Sequence, residues 1–466
     1  MMADGHVHPD LRKFPKTRGF LIRFSREGFE PVIEFCRGGR VPRLTEDGVY
    51  QHIYGVCFKT GPPGTVGAET EWFVVDAADR AAHVPARRVR MLVGEAGPPP
   101  GGSAVTYEPG GQLELSSAPF RGVSELHSAL AGDIAHVRDA LAPAGLDLVG
   151  HGVDPVRRPR FQAEHPRYGC MRDYFSAGGF ADAGLAMMCS TASVQVCLDI
   201  GADRADAARR WRLTHALGPV LIAAFANSPV KAGRRTGLRS SRQAIWTELD
   251  PCRTLPVLRD GRDGDPAEAW TRYALDARVM LVKTASGEWV SDPGMSFKEW
   301  LDKGEPGQED LDYHLSTLFP PVRPRGWLEL RMIDALPARY WPVPVAVAAA
   351  LLDDPAASRA AEEAAEPVAR LWAEAARHGL ADASLAAAAR TCFTAALDAL
   401  PRMGAAGLVP LVEEYARRYV ERGRTPADDG PAHDGARLDG AVRGGTVHQV
   451  HDAPTTMSEE DPTWPR

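Results

Sequence analysis

Four stretches of this 466-residue chain alternate between polar and apolar residues, and their polar positions hold acids, Gln, Ser, Thr or Arg but no lysine. On an extended chain, residues two apart share a face. A strand over Val66–Val75 therefore puts Glu69 and Glu71 on one side and Trp72 and Val74 on the other. Gln112–Ser116 groups Gln112, Glu114 and Ser116 against Leu113 and Leu115, and the preceding turn, Glu108-Pro-Gly-Gly, brings another carboxylate to the strand mouth. Thr191–Asp199 sets Thr191, Ser193, Gln195 and Asp199 opposite Val194, Val196 and Leu198. Trp327–Asp334 aligns Glu329 with Arg331 and sends Leu328, Leu330 and Met332 to the core.

One side of an antiparallel sheet often faces water, and for any single strand that reading stays open. The residue choice weighs against it for the set, because solvated faces mix lysine with acids. Neighbouring carboxylates about 4 Å apart repel by a few kcal/mol at an effective dielectric near 20, so gathering them requires a cation. Oxygen-only donors of high charge point to magnesium or manganese. Arginines supply the complement: Arg172, Arg239, Arg242, Arg323 and Arg331 are candidates for forks to carboxylate or phosphate. Each taken alone also fits a surface ion pair, except Arg331, which shares a strand face with Glu329 and is assigned to transition-state charge stabilisation.

Other chemistries find no support. The chain contains no H-E-x-x-H, no G-x-S-x-G and no G-x-x-x-x-G-K-[ST] segment, so a bound nucleotide has to be held through metal and arginine. A formal charge of -7 without a dense basic block argues against nucleic acid as a partner. Seven scattered cysteines without a C-x-x-C pair fit free thiols in a reducing compartment. The N-terminus lacks an apolar core and the longest apolar runs are too short to span a bilayer, so a cytoplasmic protein without membrane contact is expected.

Residues 1–43 read as an extension of uncertain order, 44–422 as one catalytic unit, and 423–466, rich in Gly, Pro and Asp, as a disordered tail. Thr45, followed by Glu46 and Asp47, predicts a capped helix ending near Gly55. Helical spacing predicts further helices over Ser124–Leu141, Asp203–Phe225, Pro355–His378, Ala383–Leu400 and Leu408–Arg422, the last three as supporting elements.

The set Gly67-Ala-Glu-Thr-Glu-Trp72, Glu108-Pro-Gly-Gly-Gln-Leu-Glu-Leu-Ser116, Met187 to Asp199 and His314 to Arg331 resembles the plant-type glutamate–cysteine ligases, and most closely the bacterial branch linked to ergothioneine synthesis. The resemblance runs in order from about Val56 to about Tyr340. It implies an α+β, glutamine synthetase-like catalytic fold, in which the polar concave face of a curved, mainly antiparallel sheet holds ATP and magnesium and helices back the other face. It further implies that Glu69, Glu71, Glu108, Glu114 and Glu329 bind the metal. Gln195 stands where related ligases often place a metal-binding histidine, a difference shared by the plant-type branch, and is expected with Arg331 to contact the nucleotide. Arg242 and Arg331 resemble arginines that touch substrate or phosphate. Arg172, Gln112, Ser116 and Thr191 complete the expected substrate contacts, and Glu329 and Arg331 the expected catalytic pair. The implied substrates are glutamate and cysteine, joined through a γ-glutamyl phosphate. The alternatives are a ligase of the same fold with another amine acceptor, and a non-catalytic nucleotide- or metal-binding relative.

Overall fold

The computed structural model describes residues 20–25, 28–35, 43–258, 264–284, 288–291 and 294–430. Its centre is an eight-stranded, wholly antiparallel sheet: β1 (Thr65–Asp76), β2 (Ala104–Tyr107), β3 (Leu113–Ser116), β4 (Phe120–Arg121), β5 (Leu146–Val149), β6 (Ser193–Asp199), β7 (Val322–Pro324) and β8 (Trp327–Asp334). The strands run in the order β7-β8-β6-β1-β3-β2, and β4 and β5 pair with the two ends of β1. All four alternating segments lie within this sheet. Trp72 satisfies its indole N–H on Thr70 at 3.0 Å inside the apolar face.

Register decides which side chains meet. Glu69 stands opposite Ser116 on β3 and Gln195 on β6, Glu71 opposite Glu114, and Glu329 opposite Cys197 on β6 and Arg323 on β7. A slip of one residue would send these groups into the face formed by Leu113, Leu115, Val196, Leu328 and Leu330, all fully buried. That apolar face is backed by the helices Val123–Leu141, Arg204–Phe225 and Pro342–Asp353. The predicted polar face and helical backing are thus present.

Strict alternation fails at one place. The β8–β6 register shifts between Leu330 and Ile333, so β8 holds one extra residue there, a β-bulge. Met332 and Ile333 are consequently both buried, and Asp334 comes to pair with Ser193 instead of staying in phase with Leu330. Two glycines carry local geometry. Gly326, at φ 85°, closes the two-residue turn between β7 and β8. Gly110 lets the Glu108 turn lie under the end of the helix Ala181–Ser190, since a Cβ there would fall 2.2 Å from the Cys189 carbonyl oxygen.

Thr45 caps its helix as predicted, accepting from the Gly48 amide at 3.1 Å, and the helix runs to Cys57. The helices Val123–Leu141, Arg204–Phe225 and Ala383–Arg402 also follow the predicted spacing. The single helix expected over Pro355–His378 is instead broken: α-helix over Pro355–Ala365, a 3-10 turn over Glu366–Val368, and a separate helix from Trp372. Pro367 explains the break, because proline has no amide hydrogen and its ring clashes with the preceding turn. The helix expected over Leu408–Arg422 likewise ends at Arg418 and continues as a 3-10 turn. Residues 423–430, assigned by composition to the tail, are built into the fold: Thr425 is buried, Pro426–Asp428 form a 3-10 turn, and Asp428 pairs with Arg239. Residues 431–466 lie outside the described residues. So does most of the N-terminal extension, although 20–25 and 28–35 form a two-stranded antiparallel hairpin. No helix among the described residues is long and apolar enough to cross a membrane.

Candidate active site

The polar face of the sheet opens into a cavity of about 310 Å³. It is lined by Glu69, Glu71, Glu108 and Glu114, by Arg242, Arg323, Arg325 and Arg331, and by the apolar Met171, Met187, Trp246 and Phe319. Acids and arginines thus lie side by side around a space large enough for small molecules.

A chain of contacts along the sheet face ties the acids to the arginines. Ser193 N donates to Glu71 Oε2 at 2.8 Å, Gln195 Nε2 donates to Glu71 Oε1 at 3.0 Å, and Arg331 Nη1 donates to Gln195 Oε1 at 2.6 Å. The same Arg331 nitrogen donates to Glu329 Oε2 at 3.0 Å, which also accepts from Arg323 Nε at 2.6 Å. Gln195 spends its amide on this relay, and its oxygen is already occupied by arginine. Arg242 is buried and donates to the Arg331 carbonyl oxygen at 2.9 Å, so it holds the backbone of the arginine beside it.

The electrostatics follow from burial. Although burial pushes Glu329 up, Arg323 and Arg331 hold its carboxyl down at about 2, so it is ionised. Glu69 is pushed up to about 8 by burial and by the charges of Glu329 and Glu114. Burial and Glu114 also raise Glu71, and burial, Glu114 and Glu71 raise Glu108 well above the carboxylate range. Arg331 moves the other way: burial works against its charge, yet Glu329 and Glu69 hold its proton more tightly. Neither Glu69 nor Glu108 has a hydrogen-bond donor to its carboxylate among the described residues, and Glu329 Oε1 is buried without one. Clustered acids that lack donors and resist ionisation are short of positive charge. Their donor set, all oxygen, fits a hard divalent cation.

The structure brings most of the predicted residues to one place. Gln112 and Thr191 line the cavity but also bind the scaffold: Gln112 Nε2 donates to the Thr191 carbonyl at 2.8 Å, and Thr191 Oγ1 to the Met187 carbonyl at 2.7 Å. Ser116 shares the polar face and donates to Glu114 Oε1 at 3.1 Å, a carboxylate oxygen that also accepts from Thr106 at 2.7 Å. Arg172 does not line the cavity. It is exposed, pairs with Asp173 and lies over the Phe161 ring. Arg167 on the same helix lines the cavity instead, donating to the Ser316 carbonyl at 3.1 Å; five residues further on, the helix has turned by about 140°. Arg239 serves the C-terminal turn through Asp428.

A family model described as glutamate-cysteine ligase family 2 matches residues 65–450. The chain belongs to this family. It is 44% identical over 385 residues to the glutamate–cysteine ligase EgtA of Mycolicibacterium smegmatis, covering 81% of this chain and 89% of that relative. Identity to the Mycobacterium tuberculosis EgtA is 42% over 389 residues, with 81% and 88% covered. The chloroplastic glutamate–cysteine ligase of Arabidopsis thaliana is 35% identical over 250 residues, 51% of this chain and 47% of that one. Among solved structures, the glutamate–cysteine ligase of Francisella tularensis in complex with AMP aligns with a TM-score of 0.45 and 13% identity, covering 80% of this chain and 85% of that one.

The raised Glu69 carboxyl has a measurable consequence. Its proton is held more tightly in the folded chain, at about 8, than at the ordinary 4.5, so the metal-free fold loses stability as pH rises across that interval. A cation can bind only after that proton leaves. Adding a divalent cation near pH 7 is therefore expected to release protons, and the thermal stabilisation it confers to grow up to about pH 8 and then level off. Calorimetric titrations in two buffers of different ionisation enthalpy measure this release; identical heats in both would rule it out.

Proposed function

We propose that this chain ligates the γ-carboxylate of L-glutamate to the amino group of L-cysteine, using ATP and giving γ-glutamylcysteine, ADP and phosphate through a γ-glutamyl phosphate. The product would feed ergothioneine or a related thiol. The observation that carries the reading is the cavity that Glu69, Glu71, Glu108 and Glu114 share with Arg242, Arg323 and Arg331, in a chain 44% identical to a glutamate–cysteine ligase over 81% of this chain and 89% of that relative. Residues 44–430 are assigned to the ligase unit, since 423–430 are built into its fold, and the absence of paired cysteine motifs supports a reducing, cytoplasmic setting.

Two anions, a carboxylate and a triphosphate, have to meet before any bond forms. Magnesium is the cation assigned to Glu69, Glu71, Glu108, Glu114 and Glu329, where it would neutralise phosphate oxygens and align them for in-line attack. The chain's own residues do the rest. Arg331, fixed by Gln195 and Glu329 and lining the cavity, is assigned to the oxygens on which charge accumulates. Arg323 and Glu329 keep it from turning aside. Burial of the whole group strengthens each of these interactions relative to water. Arg242, Arg167, Gln112 and Thr191 are assigned to substrate carboxylates and amines, and the Met187 and Phe319 end, being apolar, is suited to exclude water from the acyl phosphate.

Incubating purified protein with glutamate, cysteine, ATP and magnesium, with detection of the dipeptide by mass, tests the reading. A product with another amine and none with cysteine would replace the acceptor; tight ATP binding without glutamate-dependent ADP release would remove the enzyme. Within that assay Glu114→Gln is expected to lose about 100-fold or more of turnover at limiting magnesium. Its fold should persist, because the amide oxygen still accepts from Thr106 and Ser116. Wild-type turnover by this variant would take Glu114 out of the metal set.

A further inference from the structure

Cys197 lies two residues beyond Gln195 on β6, on the same face, opposite Glu329 on β8 and Gly67 on β1. Gly67 adds no side chain beside it; a Cβ there would lie 3.5 Å from the Cys197 Cβ. The Cys197 sulfur and carboxylate oxygens of Glu69 and Glu329 lie within 4.8 Å of one another. Glu329 is fully buried, and its Oε1 accepts no hydrogen bond, lying 3.7 Å from Arg325 Nη1. A tetrahedral zinc with bonds of about 2.0–2.3 Å spaces its donors about 3.5 Å apart, so a contraction of about an ångström would close the set.

Magnesium takes oxygen ligands and would leave the sulfur a bystander. Without a cation, burial and the charges of Glu329 and Glu69 keep the Cys197 thiol protonated; once a cation displaces that proton, a thiolate beside two carboxylates suits softer divalent ions. The Glu69 carboxylate and a Cys197 thiolate together match the charge of one divalent cation, while Glu329 stays paired with Arg323 and Arg331. We infer that Glu69, Cys197 and Glu329 form a binding site for a thiophilic divalent cation of the zinc and cadmium class, and that its occupancy blocks the ligase reaction. On binding, the thiol proton passes to solvent and a sulfur lone pair to the cation; nothing is oxidised. The block rests on the function proposed above, because two of the three donors are assigned there to magnesium. The binding does not.

The test uses full-length, metal-free protein with Cys197→Ser and Cys197→Ala alongside. Cadmium chloride is titrated in while the ultraviolet sulfur-to-metal charge-transfer absorbance is followed. The wild type is expected to gain one saturable increment that both variants lack, with circular dichroism confirming that each is folded. With magnesium fixed and each protein referred to its own zinc-free rate, the zinc concentration that halves dipeptide formation should rise at least about tenfold in both variants. A cadmium increment of unchanged size in both variants overturns the site, and equal zinc sensitivity in all three proteins overturns the block. Should the wild type form no dipeptide at all, the ligase reading fails while the cadmium increment still decides the site.

Discussion

Arg331→Lys is expected to lower turnover about 100- to 1,000-fold while the protein stays folded, the loss expected when a donor aimed at developing charge is removed. One nitrogen of Arg331 serves both Gln195 Oε1 and Glu329 Oε2, and the residue lines the cavity. A lysine ammonium is a compact point charge on a flexible stem and cannot hold both anchors while presenting a second donor. The formal charge is unchanged, so any loss reports geometry and not net electrostatics. Turnover of Arg331→Lys within about threefold of wild type, with glutamate and ATP saturating, would move the charge-stabilising role to Arg323 or Arg325.

Glu329→Gln is the variant with the largest expected effect on the fold itself. The wild-type carboxylate is fully buried and meets Arg323 at 2.6 Å and Arg331 at 3.0 Å, both nearly buried as well. Removing the anion leaves two cations in a medium that solvates them poorly, and breaking a buried pair in this way costs about 3–5 kcal/mol. Turnover should vanish together with the stability, and urea denaturation should show an earlier midpoint. If the midpoint is unchanged, water already solvates these arginines and the low value of about 2 for Glu329 has another origin.

Much of this site is legible in the sequence because a strand repeats every two residues. Once Leu113 and Leu115 have to be buried, Glu114 and Ser116 are fixed on the other face, and the same logic places Glu69, Glu71, Gln195 and Glu329. Periodicity says nothing about which strands become neighbours, and so nothing about the pairing of Glu71 with Glu114 or Glu329 with Cys197. It also cannot register an inserted residue: the bulge after Leu330 re-aims Asp334, and no propensity in Met332-Ile333 announces it. Arg172 illustrates a different limit, since a helix turning about 100° per residue separates nearby arginines and their environment is set by distant contacts. Arg325 had a weak signal in its alternation with Arg323 ahead of the Gly326 turn. The helix break at Pro367 was readable from the residue alone.

Asp334, where the bulge delivers it, accepts from the Asn227 amide at 2.9 Å and the Ser228 and Ser240 hydroxyls at 2.7 and 2.9 Å. Ser240 in turn caps the helix Ser241–Thr247, which carries Arg242 back to the Arg331 carbonyl. The strand bearing Glu329 and Arg331 and the helix bearing Arg242 are therefore clamped at both ends of one closed circuit. Any hinge used for admitting substrate has to lie outside that circuit, and a transplant of the 227–242 segment from a relative would carry its arginine correctly only if the three donors to Asp334 travelled with it.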